Sequence, residues 1–357
     1  MLKTLPDSPE RTGQELELQF PLAVALINLK GYSDPEVGQA FTRAHELCNQ
    51  IGETPQISIA LFGLGAFYFA RAECKLSIEL AEQMLRIAPR AHDPTAPLLI
   101  SHTAQAGNFS LLGESNQALM HAEQVLDIYD PQQHRSLVFL LGQDLKSNSM
   151  SLVAFKLWLR GYPDQARKMS RDALSYSRKL AHPNTLNLVY NFANTLYHIC
   201  RDAQTLQELT EKWFTLSTEY GILLFIGTTT IFRGWSLVEQ GQTAEGIAEM
   251  RQELAIIRAT GAGAFHPYCL IMVAEVHRKA GQPEEGLTVL DEALACVEKT
   301  GERFYEAKIR RHTGELLLAQ SADEAEVEEH YKQSIDVAHQ LGAKSLELRA
   351  VLSLSHL

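Results

Sequence analysis

The sequence has no long hydrophobic run, no secretion signal and no excess of positive charge. Its apolar stretches stay well short of the roughly 18 residues that a membrane-spanning helix needs, and residues 1–15 lack the apolar core of a signal peptide. The net charge of −11 comes without any Lys/Arg-rich run, which argues against nucleic acid or an anionic membrane as the partner. We therefore expect neither a membrane nor a nucleic-acid partner.

Paired cysteines and catalytic motifs are also missing. The five cysteines are scattered without CxxC spacing, at Cys48, Cys74, Cys200, Cys269 and Cys296. This pattern favours reduced thiols in a cytoplasm over a disulfide framework or a zinc site. A partial HExxH motif at His45-Glu46 has Asn49 in place of the second histidine, and no GxSxG elbow occurs. We expect no enzyme activity, no metal and no cofactor.

Polar turns recur at a fixed period along the chain. The five later turns begin 40 residues apart, at 161–166, 201–206, 241–246, 281–286 and 321–326. Earlier turns near Gly31, Arg71 and Gly113 continue the series with spacings of 40 to 48. Between the turns, apolar residues recur at steps of three and four, and no stretch alternates with period two long enough for a strand. The period predicts an all-α solenoid of antiparallel helix pairs.

Proline and glycine mark the expected helix ends. Proline stands near a first helical position at Ser8-Pro9, Thr54-Pro55, Asp93-Pro94 and His182-Pro183. A second glycine series lies where a helix C-cap tolerates positive φ, at Gly221, Gly261, Gly301 and Gly342. Both series agree with two helices in each unit.

We expect a single repeat domain that covers residues 1–357. Two segments of it depart from the 40-residue period. The connection 130–142 lengthens one unit by about eight residues, either as a tolerated insertion or as a hinge between sub-arrays 1–129 and 143–357. The last stretch, 344–357, has the pattern of a first helix without its partner, so its leucines would be uncovered. We expect a second subunit in a homodimer, or another part of a longer protein, to cover this C-terminal helix.

Within each unit, small residues follow the pattern of a known repeat. The first helix has a small residue, the turn a glycine and the second helix an alanine, as in Gly234, Gly241 and Ala255, or Ala274, Gly281 and Ala293. In these positions the chain resembles the tetratricopeptide-repeat (TPR) family. The resemblance implies a right-handed superhelix of about eight helix pairs plus a terminal unpaired helix.

Longer strings carry a more specific resemblance. They are TLPDSPERTGQELELQ at 4–19, KGYSDPEV at 30–37, YDPQQHRSL at 129–137, LRGYPDQA at 159–166, RGWSLVEQGQ at 233–242, TGERFYEAK at 300–308 and AKSLELRA at 343–350. These strings resemble the C-terminal repeat region of bacterial STAND-type ATPases and nucleotide cyclases that act in signalling. The resemblance implies a regulatory sensor with an attached or separate ATPase or cyclase domain as partner. No GxxxxGK[ST] phosphate loop occurs, so we expect no ATP binding by that route.

In the TPR family the first helix of each pair lines a concave groove where ligands dock. Counting the turn residue as the fifteenth position of the repeat, we predict a groove formed by Asn148, Phe155, Trp158, Asn191, Thr195, His198, Trp235, Tyr268, Glu275, Arg278 and Arg311. Aromatic anchors and asparagines suit an extended peptide. The alternative is that the aromatic rings simply pack between helices. A phosphate or carboxylate ligand would need a cationic cluster, which only Arg278, Lys308 and Arg311 approach.

The leading hypothesis is a non-catalytic module of a cytoplasmic bacterial signalling protein, which binds a protein or peptide and regulates an attached domain. One alternative is a free-standing receptor for a peptide pheromone or small effector, with its site between Asn148 and Trp235. The other is an enzyme built on a helical toroid, which would need Glu275 and Glu315 as an acid–base pair.

Overall fold

A computed structural model of the chain describes residues 8–52, 56–91 and 93–357. Every regular element in these ranges is helical, and none of the helices is long and apolar enough to cross a membrane. The α-helices of the described ranges are α1 (Pro9–Lys30), α2 (Pro35–Ile51), α3 (Gln56–Ala70), α4 (Cys74–Ile87), α5 (Thr95–Leu112), α6 (Ser115–Ile128), α7 (Pro131–His134), α8 (Leu137–Leu141), α9 (Leu145–Leu159), α10 (Pro163–Leu180), α11 (Pro183–Ile199), α12 (Ala203–Glu219), α13 (Leu223–Glu239), α14 (Thr243–Thr260), α15 (His266–Lys279), α16 (Pro283–Thr300), α17 (Glu306–Ala319), α18 (Glu324–Gln340) and α19 (Lys344–Ser355).

Local sequence signals set the helix ends. At the start of α1 the Ser8 hydroxyl accepts a hydrogen bond from the backbone N–H of Arg11 at 3.2 Å, which satisfies one of the free donors of the first turn. Pro183 occupies the first position of α11, as predicted, whereas the start predicted at 54–55 lies outside the described residues. The predicted glycines all have positive φ, at Gly221 (64°), Gly261 (68°), Gly301 (75°) and Gly342 (63°).

The long helices form eight antiparallel pairs in the described part of the chain. The pairs are α1/α2, α3/α4, α5/α6, α9/α10, α11/α12, α13/α14, α15/α16 and α17/α18, and α19 follows without a partner of its own. In α13/α14 the helices approach at Gly234 and Gly246, where a Cβ on Gly234 would lie only 2.7 Å from the Gly246 carbonyl oxygen. A residue larger than glycine would force this pair apart. The predicted all-α superhelix of about eight pairs plus a terminal helix is confirmed.

The lengthened connection 130–142 contains the short helices α7 and α8, and α8 contacts α3. It is therefore structured and packed on the preceding repeats. A hinge role for it stays a prediction.

The final helix α19 is only half covered. Leu346 and Ala350 are buried, while Leu348 and Leu352 are 60% and 49% exposed. The uncovered leucines agree with the exposed face expected for this helix, and the homodimer predicted there stays a prediction.

Consecutive turns of the superhelix touch each other. The backbone N–H of Gly263 donates to the Ala70 carbonyl at 2.9 Å, and the Ser345 hydroxyl donates to the Trp158 carbonyl at 2.5 Å. These partners are far apart in sequence, so the helices of early repeats contact those of late repeats across the interior. The concave side is consequently filled in part by the chain itself.

Candidate functional site

The first helices of consecutive pairs line the interior and contact one another along α9, α11, α13, α15, α17 and α19. The 40-residue period places equivalent positions side by side. Trp235 Nε1 donates to Glu275 Oε2 at 3.3 Å, and Lys279 Nζ donates to the Glu239 carboxylate. The repeat register thus determines which interior side chains meet.

Glu275 is the centre of a buried polar network. Its side chain is 4% exposed, and its Oε2 accepts a hydrogen bond from Arg201 at 2.8 Å. The same oxygen lies 3.3 Å from His198 Nε2, while Oε1 lies 3.0 Å from His312 Nε2. Arg201 and Trp235 supply the hydrogen-bond donors that a buried charge requires, and the two histidines lie beside the carboxylate.

Burial and neighbouring charge set the protonation of this network. Burial opposes ionisation of Glu275, but His198 and His312 beside it hold its pKa well below the usual range. Burial lowers the pKa of His198 to about 4, although Glu275 acts in the opposite direction. Burial also raises the pKa of Tyr268 well above its ordinary value, and this hydroxyl lies 2.6 Å from His198 Nδ1. We therefore assign a neutral His198 whose Nδ1 accepts from the Tyr268 hydroxyl and whose Nε2 lies beside the Glu275 carboxylate.

An open pocket of about 450 Å³ lies beside this network. It is lined by Arg201, Ala203, Trp235, Glu239, Arg278, Lys279, Arg311, Glu315, Arg349 and Leu352. These residues come from α13, α15, α17, α19, the turn between α11 and α12, and the first residue of α12. The volume is within the range of about 300–1,000 Å³ typical of small-molecule sites. A molecule bound there would touch four repeats and the final helix at once.

Ion pairs order one wall of the pocket. Glu315 accepts a hydrogen bond from Arg311, and Arg278 Nε lies 3.6 Å from Glu315 Oε2, an ion pair too long for a hydrogen bond. His312 Nδ1 is 3.1 Å from the same oxygen. Burial opposes ionisation of Glu315, but His312, Arg311 and Arg278 lower its pKa to about 2. Among the residues that the structure describes, no group of three or more His, Cys, Asp or Glu side chains is arranged to hold a metal ion.

Several residues of the predicted groove are packed between turns of the superhelix. Phe155 and Trp158 are buried, and the Phe155 ring centroid lies 5.2 Å from that of Phe304. Asn191 and Thr195 border an apolar cavity of about 40 Å³, which has space for a few water molecules but not for a peptide. At Phe155 and Trp158 the structure therefore has packing between helices, the alternative that the sequence left open for the aromatic rings.

The remaining predicted residues divide between the pocket and other surroundings. Trp235, Arg278 and Arg311 line the pocket, whereas His198, Tyr268 and Glu275 form the buried network behind it. Asn148 lies outside both and donates to the Gln143 side chain at 3.0 Å. The pocket thus contains part of the predicted set, displaced toward the later repeats.

The pocket also contains cationic residues that sequence reasoning missed. Arg201 stands at a turn position that is glycine at 161, 241 and 281, and it adopts a left-handed φ of 58°. A large residue in this conformation, where glycine is the rule, was a readable signal. Arg349 could not be found in this way, because it reaches the pocket only when α19 packs back on α9.

Comparisons with known proteins agree with the fold. No protein-family model matches the chain. The chain is 24% identical over 271 residues to the uncharacterized protein R02095 of Rhizobium meliloti (strain 1021), which covers 75% of this chain and 26% of that protein. The chain therefore spans about a quarter of the length of this relative.

Solved structures of similar fold include a Rap protein complexed with competence and sporulation factor, with a TM-score of 0.61 and 12% identity over 97% of this chain and 100% of that chain. The crystal structure of the APC/C hetero-tetramer Cut9-Hcn1 contains another similar chain, with a TM-score of 0.60 and 13% identity over 94% of this chain and 55% of that chain. At such low identity the likeness shows the fold alone. This protein has the TPR-like α-α superhelix.

Proposed function

We propose that the chain is a non-catalytic sensor module that binds an effector or a peptide end in the pocket between α13, α15, α17 and α19. The observation that carries this proposal is the origin of the pocket lining, which four repeats and the final helix supply together. Each repeat contacts mainly its neighbours, so small rotations add up along the array. A ligand that fits one arrangement of these helices better than another would shift the array toward it.

The charges in the site argue against the enzyme alternative. An acid–base pair needs one carboxyl whose pKa is raised and another that stays ionised. Glu275 and Glu315 both have lowered pKa values, and both are held by arginine and histidine partners. Neither can supply a proton near neutral pH. Their arrangement favours a binding surface.

The length of the Rhizobium meliloti relative supports a place within a larger protein. A region that corresponds to 26% of a longer chain is what an interaction module attached to other domains would give. We infer that the partner is an attached or separate ATPase or cyclase domain, as the sequence resemblance implies. The cytoplasmic location also stays a prediction.

The free-standing receptor remains the second candidate. The Rap protein that is complexed with competence and sporulation factor matches this chain over nearly the full length of both, which supports a receptor of similar extent. An extended peptide between Asn148 and Trp235 would have to separate Phe155 from Phe304. Insertion of one peptide end into the open pocket needs no such separation.

A blocking substitution tests both candidates whatever the charge of the ligand. Leu352 lines the pocket and is half exposed, whereas Leu348 lies on the same helix, is exposed and does not line it. Thermal unfolding of the full chain would be followed with a panel of peptides, nucleotides, organic acids and neutral metabolites. We expect at least one class to raise the melting temperature of the wild type and of Leu348→Trp, but not of Leu352→Trp. A panel without any hit, or equal shifts in both variants, would refute the proposal.

A further inference from the structure

The pocket has more positive than negative side chains. Its five cationic residues are Arg201, Arg278, Lys279, Arg311 and Arg349, and its two acidic residues are Glu239 and Glu315. Glu275 lies directly behind Arg201 and adds a third carboxylate. A surplus of two positive charges remains in a concave site, although the chain as a whole carries a net charge of −11. The local charge is thus opposite in sign to that of the molecule.

Arg349 is the cation that lacks a carboxylate. Its guanidinium lies 5.0 Å from the Trp158 ring centroid and donates a hydrogen bond to the Ile199 carbonyl. No carboxylate of the described residues is within ion-pair distance of it. A guanidinium has five N–H donors in a planar fork that matches carboxylate and phosphate oxygens. The contacts to Trp158 and Ile199 leave part of that fork for another acceptor.

The surplus positive charge lowers the pKa values of neighbouring cationic groups. Burial, together with Arg201 and Arg311, lowers the pKa of Arg349 to about 10. Lys308 is buried with its Nζ 4.6 Å from the Tyr268 ring centroid. Burial holds the pKa of Lys308 well below its usual range, and the nearby arginines add to this effect. Negative charge in the pocket would stabilise the charged form of each of these groups.

Arg201 is held toward the pocket by a backbone conformation that disfavours it. Its left-handed φ is unfavourable for a residue with a side chain; the equivalent turn residues at 161, 241 and 281 are glycines, and Ser321 shares the conformation. The Arg201–Glu275 pair offsets part of this cost and fixes the direction of the guanidinium.

We infer that the pocket binds a small dianion, and that carboxylate or phosphate oxygens of this ligand pair with Arg349 and Arg278. This inference rests on the proposed function and adds the chemical class of the effector. The volume of about 450 Å³ and the negative charge of the surrounding molecule favour a small anion over an extended polyanion. A dicarboxylate and a phosphate compound share the chemistry that this pocket recognises.

Isothermal titration of the full chain at low salt distinguishes the sources of the anion. The probes are succinate, inorganic phosphate and succinamide, which is the neutral counterpart of succinate. We expect succinate or phosphate to bind and succinamide not to bind. Binding should weaken when salt is added, because the contact is electrostatic. Binding of succinate alone indicates a dicarboxylate effector, and binding of phosphate alone indicates a phosphate compound.

Charge-matched variants locate the binding. Arg349→Met and Arg278→Met each remove one cation from the pocket, whereas Arg258→Met removes one from the Arg258–Glu292 pair on the outer helices α14 and α16. We expect the two pocket variants to bind the anion at least about tenfold more weakly than the wild type. The affinity of the Arg258→Met variant should be unchanged. Arg278 is more than a third exposed on the pocket rim, so its variant keeps the test valid if Arg349→Met fails to fold.

Three outcomes would overturn the inference. They are equal binding of succinamide and succinate, no binding of either anion at about 10 mM, or equal loss in the Arg258→Met and Arg278→Met variants. A neutral ligand that Leu352→Trp blocks would leave the proposed sensor function standing while the anion inference fails. A chain that binds no ligand of any class would lose both.

Discussion

Removal of the Glu275 charge should destabilise the whole second half of the array. Glu275→Gln keeps the size of the side chain but replaces one acceptor oxygen by an NH₂ donor. That group would replace either Oε2, which accepts from Arg201 and Trp235, or Oε1, which accepts from Arg201. At least one donor would lose its acceptor, and Arg201 would lose its counter-charge.

The magnitude follows from burial. A hydrogen bond to a charged group contributes about 1.5–3 kcal/mol, and breaking a buried ion pair costs about 3–5 kcal/mol. Arg201 is 39% exposed, so water recovers part of its loss and the upper figure does not apply. We expect Glu275→Gln to lower the free energy of unfolding by about 2–4 kcal/mol at neutral pH.

Urea unfolding followed by far-UV circular dichroism measures this loss. The matched control is Glu292→Gln, which removes the partner of Arg258 from an outer, half-exposed pair. The control should change the unfolding free energy by no more than about 0.5 kcal/mol. If Glu275→Gln and Glu292→Gln differ by less than that amount, the buried network does not stabilise the array.

The pH dependence of the unfolding free energy gives a second test of the ionised state of Glu275. The pKa of Glu275 is lowered on folding, so its stabilisation is present above the ordinary glutamate pKa of 4.5 and is lost as the pH falls toward the folded-state pKa. The difference between wild type and Glu275→Gln should therefore be constant from pH 6 to 7, within the measurement, and shrink below about pH 4.5. A difference that grows on acidification would contradict the assigned ionisation.

Three further predictions concern single residues, and urea unfolding checks each of them. Gly234→Ala should destabilise the chain by about 1–3 kcal/mol, because its Cβ would lie 2.7 Å from the Gly246 carbonyl oxygen. Gly13→Ala on α1, where nothing lies within 4 Å of the new Cβ, should stabilise the chain by about 0.5–1 kcal/mol. Equal effects of the two substitutions would contradict the close approach of α13 and α14. Ser321→Gly should gain about 0.5 kcal/mol, since Ser321 has a φ of 58° at an exposed turn, and a loss would argue against strain there. Burial raises the pKa of Glu302 to about 8, so its neutral form favours folding fully below pH 4.5 and loses that contribution as the pH rises through 8; Glu302→Gln should gain stability over wild type across this range, and parallel pH curves would refute the assignment.

The sequence contains enough information for the repeat and for much of the polar network. Trp235 and Glu275 are one 40-residue period apart, and so are Glu239 and Lys279, so the repeat register alone predicts that each pair lies on adjacent first helices. The fold could be predicted because turn spacing and helical periodicity are local properties that recur along the chain.

The openness of the groove could not be predicted in the same way. Whether Phe155 and Trp158 face solvent depends on the pitch of the superhelix, which is the sum of small rotations between repeats. Here the pitch brings Ser345 against Trp158 and Phe304 against Phe155. A small error in each rotation accumulates over several repeats, so contacts between distant repeats lie beyond pattern reasoning. The position of Arg349 in the pocket depends on such a contact between distant repeats.

The contact between α19 and α9 gives the pocket a physical route to the rest of the array. Arg349 lines the pocket, stacks on Trp158 and donates to the Ile199 carbonyl, while Ser345 on the same helix bonds the Trp158 backbone. An anion that draws the Arg349 guanidinium into the pocket would weaken its contacts with Trp158 and Ile199. An open solenoid, in which each repeat contacts only its neighbours, would pass such a change along one repeat at a time. In this molecule Arg349 of the final helix contacts both the pocket and the central repeats, so a ligand in the pocket would be coupled to the contact between distant repeats through this side chain.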